Sequence, residues 1–110
     1  MSEKSWLTIV GIGEDGIAGL SPTAREALAQ AEFIVGGARH IELVGDTRGK
    51  KLLWPSPLQD AFPTILAHRG MPVVILATGD PFFHGVGSLI SEKIDPSEIT
   101  IFPVPSAYAL

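Results

Sequence analysis

The chain has 110 residues, 45% of them hydrophobic, and its 12 acidic and 8 basic residues give a net charge of −4. This length favours one domain with a buried core, and the acidic balance disfavours tight non-specific binding to nucleic acid. The absence of cysteine excludes a disulfide framework and a zinc–thiolate site. No apolar run approaches the ~20 residues of a membrane-spanning helix, and the first residues lack the pattern of a secretory signal.

Five short apolar runs rich in valine and isoleucine predict strands that are buried on both faces. They cover residues 7–12, 33–35, 52–54, 73–77 and 99–104. Helices are predicted between them. Ser21 and Pro22 are typical of an N-cap and a first helical position, and a similar Ser-Pro pair opens a helix at 56–57 that Pro63 should kink or shorten. Further helices are expected over 38–44 and 85–94. The alternation predicts an α/β domain with about five strands in a mainly parallel sheet and helices on both faces.

The first strand runs into a glycine-rich loop, Gly11-Ile12-Gly13-Glu14-Asp15-Gly16. This loop fits the dinucleotide pattern G-x-G-x-x-G, in which a helix opens at the third glycine. Here the helix signal waits until Ser21, and the carboxylates of Glu14 and Asp15 would lie where a pyrophosphate rests. A nucleotide-binding Rossmann module for NAD and a glycine turn without a ligand both remain as alternatives.

The loop after the fourth strand reads Thr78-Gly79-Asp80-Pro81-Phe82-Phe83-His84. Ligands of open parallel sheets bind beyond the carboxyl ends of strands, which makes this loop the best candidate site. Gly79 allows a ligand to approach the backbone closely, and Asp80 can accept hydrogen bonds from amino or hydroxyl groups. Phe82 or Phe83 would cover an adenine or a thioether, although core packing explains them equally well. In the alternative without a ligand, Asp80 only caps the next helix.

The segment after the fifth strand contains Ser106 and Ala107, whose backbone N–H groups would lie at the start of a helix. Such groups suit a carboxylate or a polar ring edge, and a plain N-cap at Ser106 is an equal alternative. We expect this segment and the one at 78–83 to follow neighbouring strand ends. No acid–base pair, nucleophile–histidine pair or metal-ligand cluster emerges. The other polar candidates are scattered, with surface or structural roles as the simpler interpretation: His40, His68, His84, Arg39 and Arg48. The alternative for Arg39 and Arg48 is binding of the carboxylates of an acidic substrate.

Four stretches together resemble the tetrapyrrole methylase superfamily. They are residues 10–16 followed by Gly19-Leu20-Ser21-Pro22, residues 31–40 with Gly36-Gly37-Ala38-Arg39-His40, the Gly79-Asp80-Pro81-Phe82-Phe83 motif, and Val104-Pro105-Ser106-Ala107. More narrowly, the chain resembles the decarboxylating C5,15-methyltransferases that act on a corrin-ring precursor in cobalamin biosynthesis. The resemblance implies a two-lobed, S-adenosylmethionine-dependent methyltransferase. Residues 1–110 would be the N-terminal lobe of its C5-methylating domain, without the second lobe.

The resemblance also implies which residues contact the cofactor S-adenosylmethionine. Carried over by motif, they are Thr78, Gly79, Asp80, Phe83, Ser106 and Ala107. The chain departs from the superfamily at Glu14, where many members have proline. A small-molecule tetrapyrrole substrate, a homo-oligomeric full-length enzyme and a cytoplasmic location are implied, with neither nucleic acid nor membrane as partner. We expect the 110-residue chain to be inactive alone. Another superfamily activity, on uroporphyrinogen, RNA or diphthamide, is the main alternative.

Overall fold

Each predicted strand has a counterpart in the computed structural model, which describes residues 6–12, 16–45, 47–55, 58–77, 90 and 92–102. The strands are β1 (Leu7–Gly11), β2 (Phe33–Gly36), β3 (Lys50–Leu53), β4 (Val73–Ala77) and β5 (Ile99–Phe102). The α-helices with described bounds are α1 (Pro22–Gln30), α2 (Ala38–Val44) and α3 (Phe62–Ala67). Three short 3-10 helices cover Gly16–Gly19, Leu58–Ala61 and Pro96–Glu98.

Within the described residues, the five strands form one sheet in the order β3-β2-β4-β1-β5. All four strand pairs are parallel. At the amino ends, Leu7 lies between Val73 of β4 and Ile99 of β5, while Phe33 lies between Val73 and Lys50 of β3. The prediction of a parallel α/β sheet of about five strands is therefore confirmed, with β4 at its centre between β2 and β1.

Two separate cores cover the two faces of this sheet, because successive side chains of a strand point to opposite faces. Along β4, Val73, Ile75 and Ala77 belong to the core beneath α3. Val74 and Leu76 belong to the other core, beneath α1. All five residues of β4 are buried, as the uninterrupted apolar run predicted. The helices thus lie on both faces of the sheet, as expected.

The edge strand β3 begins two residues earlier than its apolar run predicts. It includes Lys50 and Lys51, both exposed, and its outer residue Leu53 is 53% exposed. Lysine is tolerated on an edge strand and hinders pairing with another chain. The apolar-run criterion missed these two residues because they do not enter the core.

The helix starts follow from capping and proline chemistry. The Ser21 hydroxyl accepts a hydrogen bond from the Ala24 N–H at 3.2 Å, so the predicted N-cap of α1 is confirmed. Helix α2 has the predicted bounds. Helix α3 begins only at Phe62, with Pro63 in its first turn, where the missing proline N–H removes no helical bond. Of the helix predicted over 85–94, the described residues 90, 92 and 93 are helical.

Candidate functional site

The carboxyl edge of the sheet is where a ligand site is expected, and its geometry follows from the strand order. Strands β1 and β4 are neighbours, yet the connections that leave them pack on opposite faces. Leu28 of α1, in the connection after β1, belongs to one core, and Ile90, in the connection after β4, belongs to the other. A crevice opens where neighbouring strands send their connections to opposite sides of a sheet. The ends of β1 and β4 therefore mark the candidate site.

The end of β1 is held firmly against β4. Gly11 pairs with Ala77, and the N–H of Ile12 donates a 2.9 Å hydrogen bond to the carbonyl of Ala77. Ile12 is buried under the α1 side of the sheet. The backbone is thus fixed up to the residues that start both candidate loops.

The glycine-rich loop does not open the first α-helix. Gly16, with φ +62°, begins a 3-10 helix, and α1 starts at Pro22. A Cβ at Gly16 would lie 3.3 Å from the carbonyl oxygen of Leu43 in α2, so this turn packs tightly on α2. The dinucleotide pattern requires the helix N-terminus at the third glycine. This arrangement weighs against the Rossmann alternative, while residues 13–15 lie outside the described part of the chain.

The six residues predicted to contact the cofactor lie outside the described residues. They are Thr78, Gly79, Asp80, Phe83, Ser106 and Ala107; His84 and Phe82 lie outside them too. The strands that carry them are described, and β4 ends at Ala77 and β5 at Phe102. We expected these two strand ends to be neighbours, which is wrong, because β1 pairs with both strands and separates them.

This correction leaves a geometry that suits an elongated ligand. Adjacent strands are about 4.8 Å apart, so the ends of β4 and β5 are roughly 10 Å apart, with β1 between them. The ends of β4 and β5 thus lie on either side of the end of β1. A ligand held from both strand ends would span at least this distance.

The scattered polar candidates do not converge. Arg39 is exposed in the first turn of α2, at the carboxyl edge. Arg48 precedes β3 and therefore lies at the opposite, amino edge. Its guanidinium is 3.9 Å from the carboxylate of Glu32, which precedes β2. The ring of His68, also before the start of a strand, stacks on the ring of Phe33 with centroids 4.2 Å apart. A single acidic substrate group would therefore not meet both arginines, and His68 has a structural role.

Among the residues that the structure describes, no group of three or more histidine, aspartate or glutamate side chains is placed to hold a metal ion. A cavity of about 720 Å³ lies at the amino edge of the sheet, away from the candidate site. Its polar lining includes Arg69 and Glu98, which form an ion pair. Sequence reasoning missed this pair because 29 residues separate its members.

Comparison with known proteins assigns the family. Residues 6–109 match the family model of the tetrapyrrole (corrin/porphyrin) methylases. The chain belongs to the tetrapyrrole methylase family. The resemblance stated from its motifs is therefore confirmed, and the parallel sheet agrees with an N-terminal lobe of such a methylase.

Several curated tetrapyrrole methylases are similar to the chain. It is 47% identical over 106 residues to the precorrin-6Y C(5,15)-methyltransferase [decarboxylating] of Sinorhizobium sp, which covers 96% of the chain and 26% of that protein. It is 35% identical over 105 residues to the protein of the same name in Mycobacterium tuberculosis, covering 94% and 27%. The cobalt-precorrin-7 C(5)-methyltransferase of Salmonella typhimurium is 32% identical over 101 residues, covering 92% and 50%. The chain thus spans about a quarter to a half of the length of these methyltransferases.

Proposed function

We propose that this chain is the N-terminal lobe of an S-adenosylmethionine-dependent C-methyltransferase that acts on a corrin-ring precursor in cobalamin biosynthesis. The activity proposed is that of the precorrin-6Y C5,15-methyltransferase (decarboxylating). The observation that carries this proposal is the 47% identity over 96% of the chain to a protein of that name. The parallel sheet supports it, because its interior strands β1 and β4 end side by side where ligands of such sheets bind.

We propose that Thr78, Gly79, Asp80, Phe83, Ser106 and Ala107 hold the cofactor. When bound, S-adenosylmethionine supplies a methyl group that its sulfonium centre has already activated. The chain then contributes by positioning, since holding two reactants close and aligned removes a large part of a barrier. The lack of an acid–base pair among the sequence candidates agrees with this division of work, and no side chain is assigned as a proton donor or acceptor.

The proposed partners follow from the same family. The substrate is a small-molecule tetrapyrrole, and we propose a homo-oligomeric, cytoplasmic enzyme that binds neither nucleic acid nor membrane. None of the helices in the described ranges is long and apolar enough to cross a membrane. The excess of 12 acidic over 8 basic residues supports a substrate other than RNA.

Titration with S-adenosylmethionine tests the cofactor assignment. In the enzyme that carries this lobe, Asp80→Ala should weaken binding by about tenfold or more, because a hydrogen bond to a charged group contributes roughly 1.5–3 kcal/mol. Asp60→Ala is the matched control, since Asp60 is exposed on the 3-10 helix before α3. Unchanged affinity in the Asp80 variant would remove that residue from the site.

A methyl-transfer assay tests the substrate class. Radiolabelled S-adenosylmethionine is offered with a precorrin, a cobalt-precorrin or RNA, and the labelled product is identified. Label in a corrin precursor supports the proposal, and label confined to RNA refutes it. A cobalt-precorrin as the preferred acceptor would favour the C5-methyltransferase type, whose similarity to this chain is 32%. The 110-residue chain alone should bind the cofactor weakly at most and show no turnover.

A further inference from the structure

Burial does little to define the register of strand β5. The strand lies at an edge of the described sheet and pairs there with β1. Its four residues are half-buried or exposed, and Ile101 is 64% exposed. Ile99 packs against the core beneath α3 and Phe102 against the core beneath α1. Because both faces of β5 carry apolar groups, a slip of one residue would exchange one apolar face for another.

A cluster of polar contacts lies at the amino end of β5, around Glu98. The indole Nε1 of Trp6 donates to Oε1 of Glu98 at 2.6 Å, and the backbone N–H of Trp6 donates to the Glu98 carbonyl at 3.2 Å. The guanidinium of Arg69 donates to both carboxylate oxygens, with its Nε 3.0 Å from Oε1. The side chain of Glu98 is only 13% exposed. One carboxylate thus joins the residues that precede β1, β4 and β5.

These contacts distinguish one register from the next. A slip of one residue moves Glu98 by about 3.3 Å along the strand, which is more than a hydrogen bond tolerates. The indole and guanidinium donors would be lost, and a carboxylate with little access to water would lack partners, which is costly. The hydrogen bonds from Trp6 and Arg69 also hold the pKa of the Glu98 carboxyl below its ordinary value. The charged form is therefore the one that these donors stabilise.

We propose that Glu98 is a positioning residue, which sets the register of β5 against β1 through its contacts with Trp6 and Arg69. This register sets the position of Phe102, the last residue of β5. The position of the end of β5 relative to the end of β4 therefore depends on an anchor at the opposite edge of the sheet. The consequence for S-adenosylmethionine rests on the proposed function, whereas the register itself does not.

Hydrogen exchange and nuclear Overhauser contacts in the 110-residue chain test the register. In Glu98→Ala, we expect the amides of Ile99–Phe102 to lose about tenfold in protection, given the size of hydrogen bonds to charged groups, while those of Val73–Ala77 keep theirs. The interstrand contacts between Thr8 and Thr100, which are paired in the sheet, should weaken at the same time.

Two further variants separate the register from general stability. Glu98→Gln keeps a hydrogen-bond acceptor and should restore most of the protection, and Trp6→Phe removes the indole donor and should resemble Glu98→Ala. Glu26→Gln is the control, because Glu26 is an exposed carboxylate on α1 that also accepts a side-chain hydrogen bond. Equal loss of protection in β4 and β5, or no loss in β5 in Glu98→Ala or in Trp6→Phe, would overturn the proposal. If Glu98→Ala does not fold, the amide protection of β5 in Trp6→Phe and Glu98→Gln tests the proposal instead.

A parallel titration with S-adenosylmethionine, followed by chemical shifts at millimolar concentration, keeps the two proposals separate. Weaker binding in Glu98→Ala than in Glu26→Gln supports the link between the anchor and the cofactor. Equal binding despite a disturbed β5 overturns that link. Absence of binding in the enzyme that carries this lobe contradicts the proposed function, while the exchange data still decide whether Glu98 sets the register.

Discussion

Replacement of Gly49 by alanine should destabilise the sheet where β3 joins β2. A Cβ at Gly49 would lie 2.4 Å from the carbonyl oxygen of Ala31, about 1 Å short of the 3.4 Å at which ordinary contact begins. It would also lie 3.0 Å from the carbonyl carbon of Glu32. Because both obstacles are backbone, no side-chain rotation relieves the clash. The start of β3 must move away, which strains the 3.1 Å hydrogen bond from the Lys50 N–H to the Glu32 carbonyl.

The expected cost follows from that displacement. Overpacking costs about 1–3 kcal/mol, and β3 is an edge strand that can shift outwards, so we expect about 2 kcal/mol. This corresponds to a roughly 30-fold change in the folding equilibrium and a fall in Tm of roughly 8–16 °C. Urea unfolding followed by tryptophan fluorescence measures it, with the buried Trp6 and the half-buried Trp54 as probes.

Gly37→Ala is the matched control for Gly49→Ala. Gly37 has φ −74°, and a Cβ there would have its nearest neighbour, Nδ1 of His40, at 3.6 Å. Alanine is a poorer N-cap than glycine, but it also reduces the entropy of the unfolded chain, so the two effects should nearly cancel. If Gly49→Ala changed the free energy of unfolding by no more than Gly37→Ala, the close approach of Gly49 to Ala31 would be refuted.

Two more predictions concern the cap of α1 and the carboxylate at the amino edge. Ser21→Ala should lower the free energy of unfolding in urea by about 1 kcal/mol, and Ser21→Gly should lower it by only a few tenths. The reason is that alanine removes the hydrogen bond to the Ala24 N–H and is a poor N-cap. Equal losses in the two variants would contradict the capping role. The hydrogen bond from Trp6, and to a smaller extent the one from Arg69, lowers the pKa of Glu98 from its ordinary 4.5. The negative charge of Asp95 opposes this shift. The stabilisation by the ionised form is therefore fully present above pH 4.5 and is lost as the pH falls through the lower native pKa. The stability difference between wild type and Glu98→Gln should shrink over that range, and a difference independent of pH would contradict the assignment.

The elements of the fold could be predicted because burial leaves a clear pattern in the sequence. Strand β4 was predicted with its observed bounds, since all five of its residues are buried. The start of β3 was missed at Lys50, where an edge position permits a charged side chain. The late start of α3 at Phe62 was missed as well, because a 3-10 helix replaces the first turn expected after residues 56–57.

The spatial order of the strands is the part that sequence reasoning could not supply. Periodicity identifies β4 and β5 as strands, but nothing local shows that β1 lies between them. The anchor at Glu98 was invisible for the same reason, because Trp6 is 92 residues away in the chain. The motif at 78–83 was found because glycine, aspartate and proline after a buried strand are typical of a ligand loop, and its role as a cofactor site stays a prediction.

The interior position of β1, between β4 and β5, also determines when the sheet can assemble. Leu7 pairs with Val73 and with Ile99, which lie 66 and 92 residues further along the chain. Pairs so distant close large loops before any contact compensates the lost entropy, which slows folding. On the ribosome, the apolar β1 emerges before the other four strands and has no sheet partner until β4 has been made. Until then its apolar side chains stay uncovered, which exposes the nascent chain to aggregation.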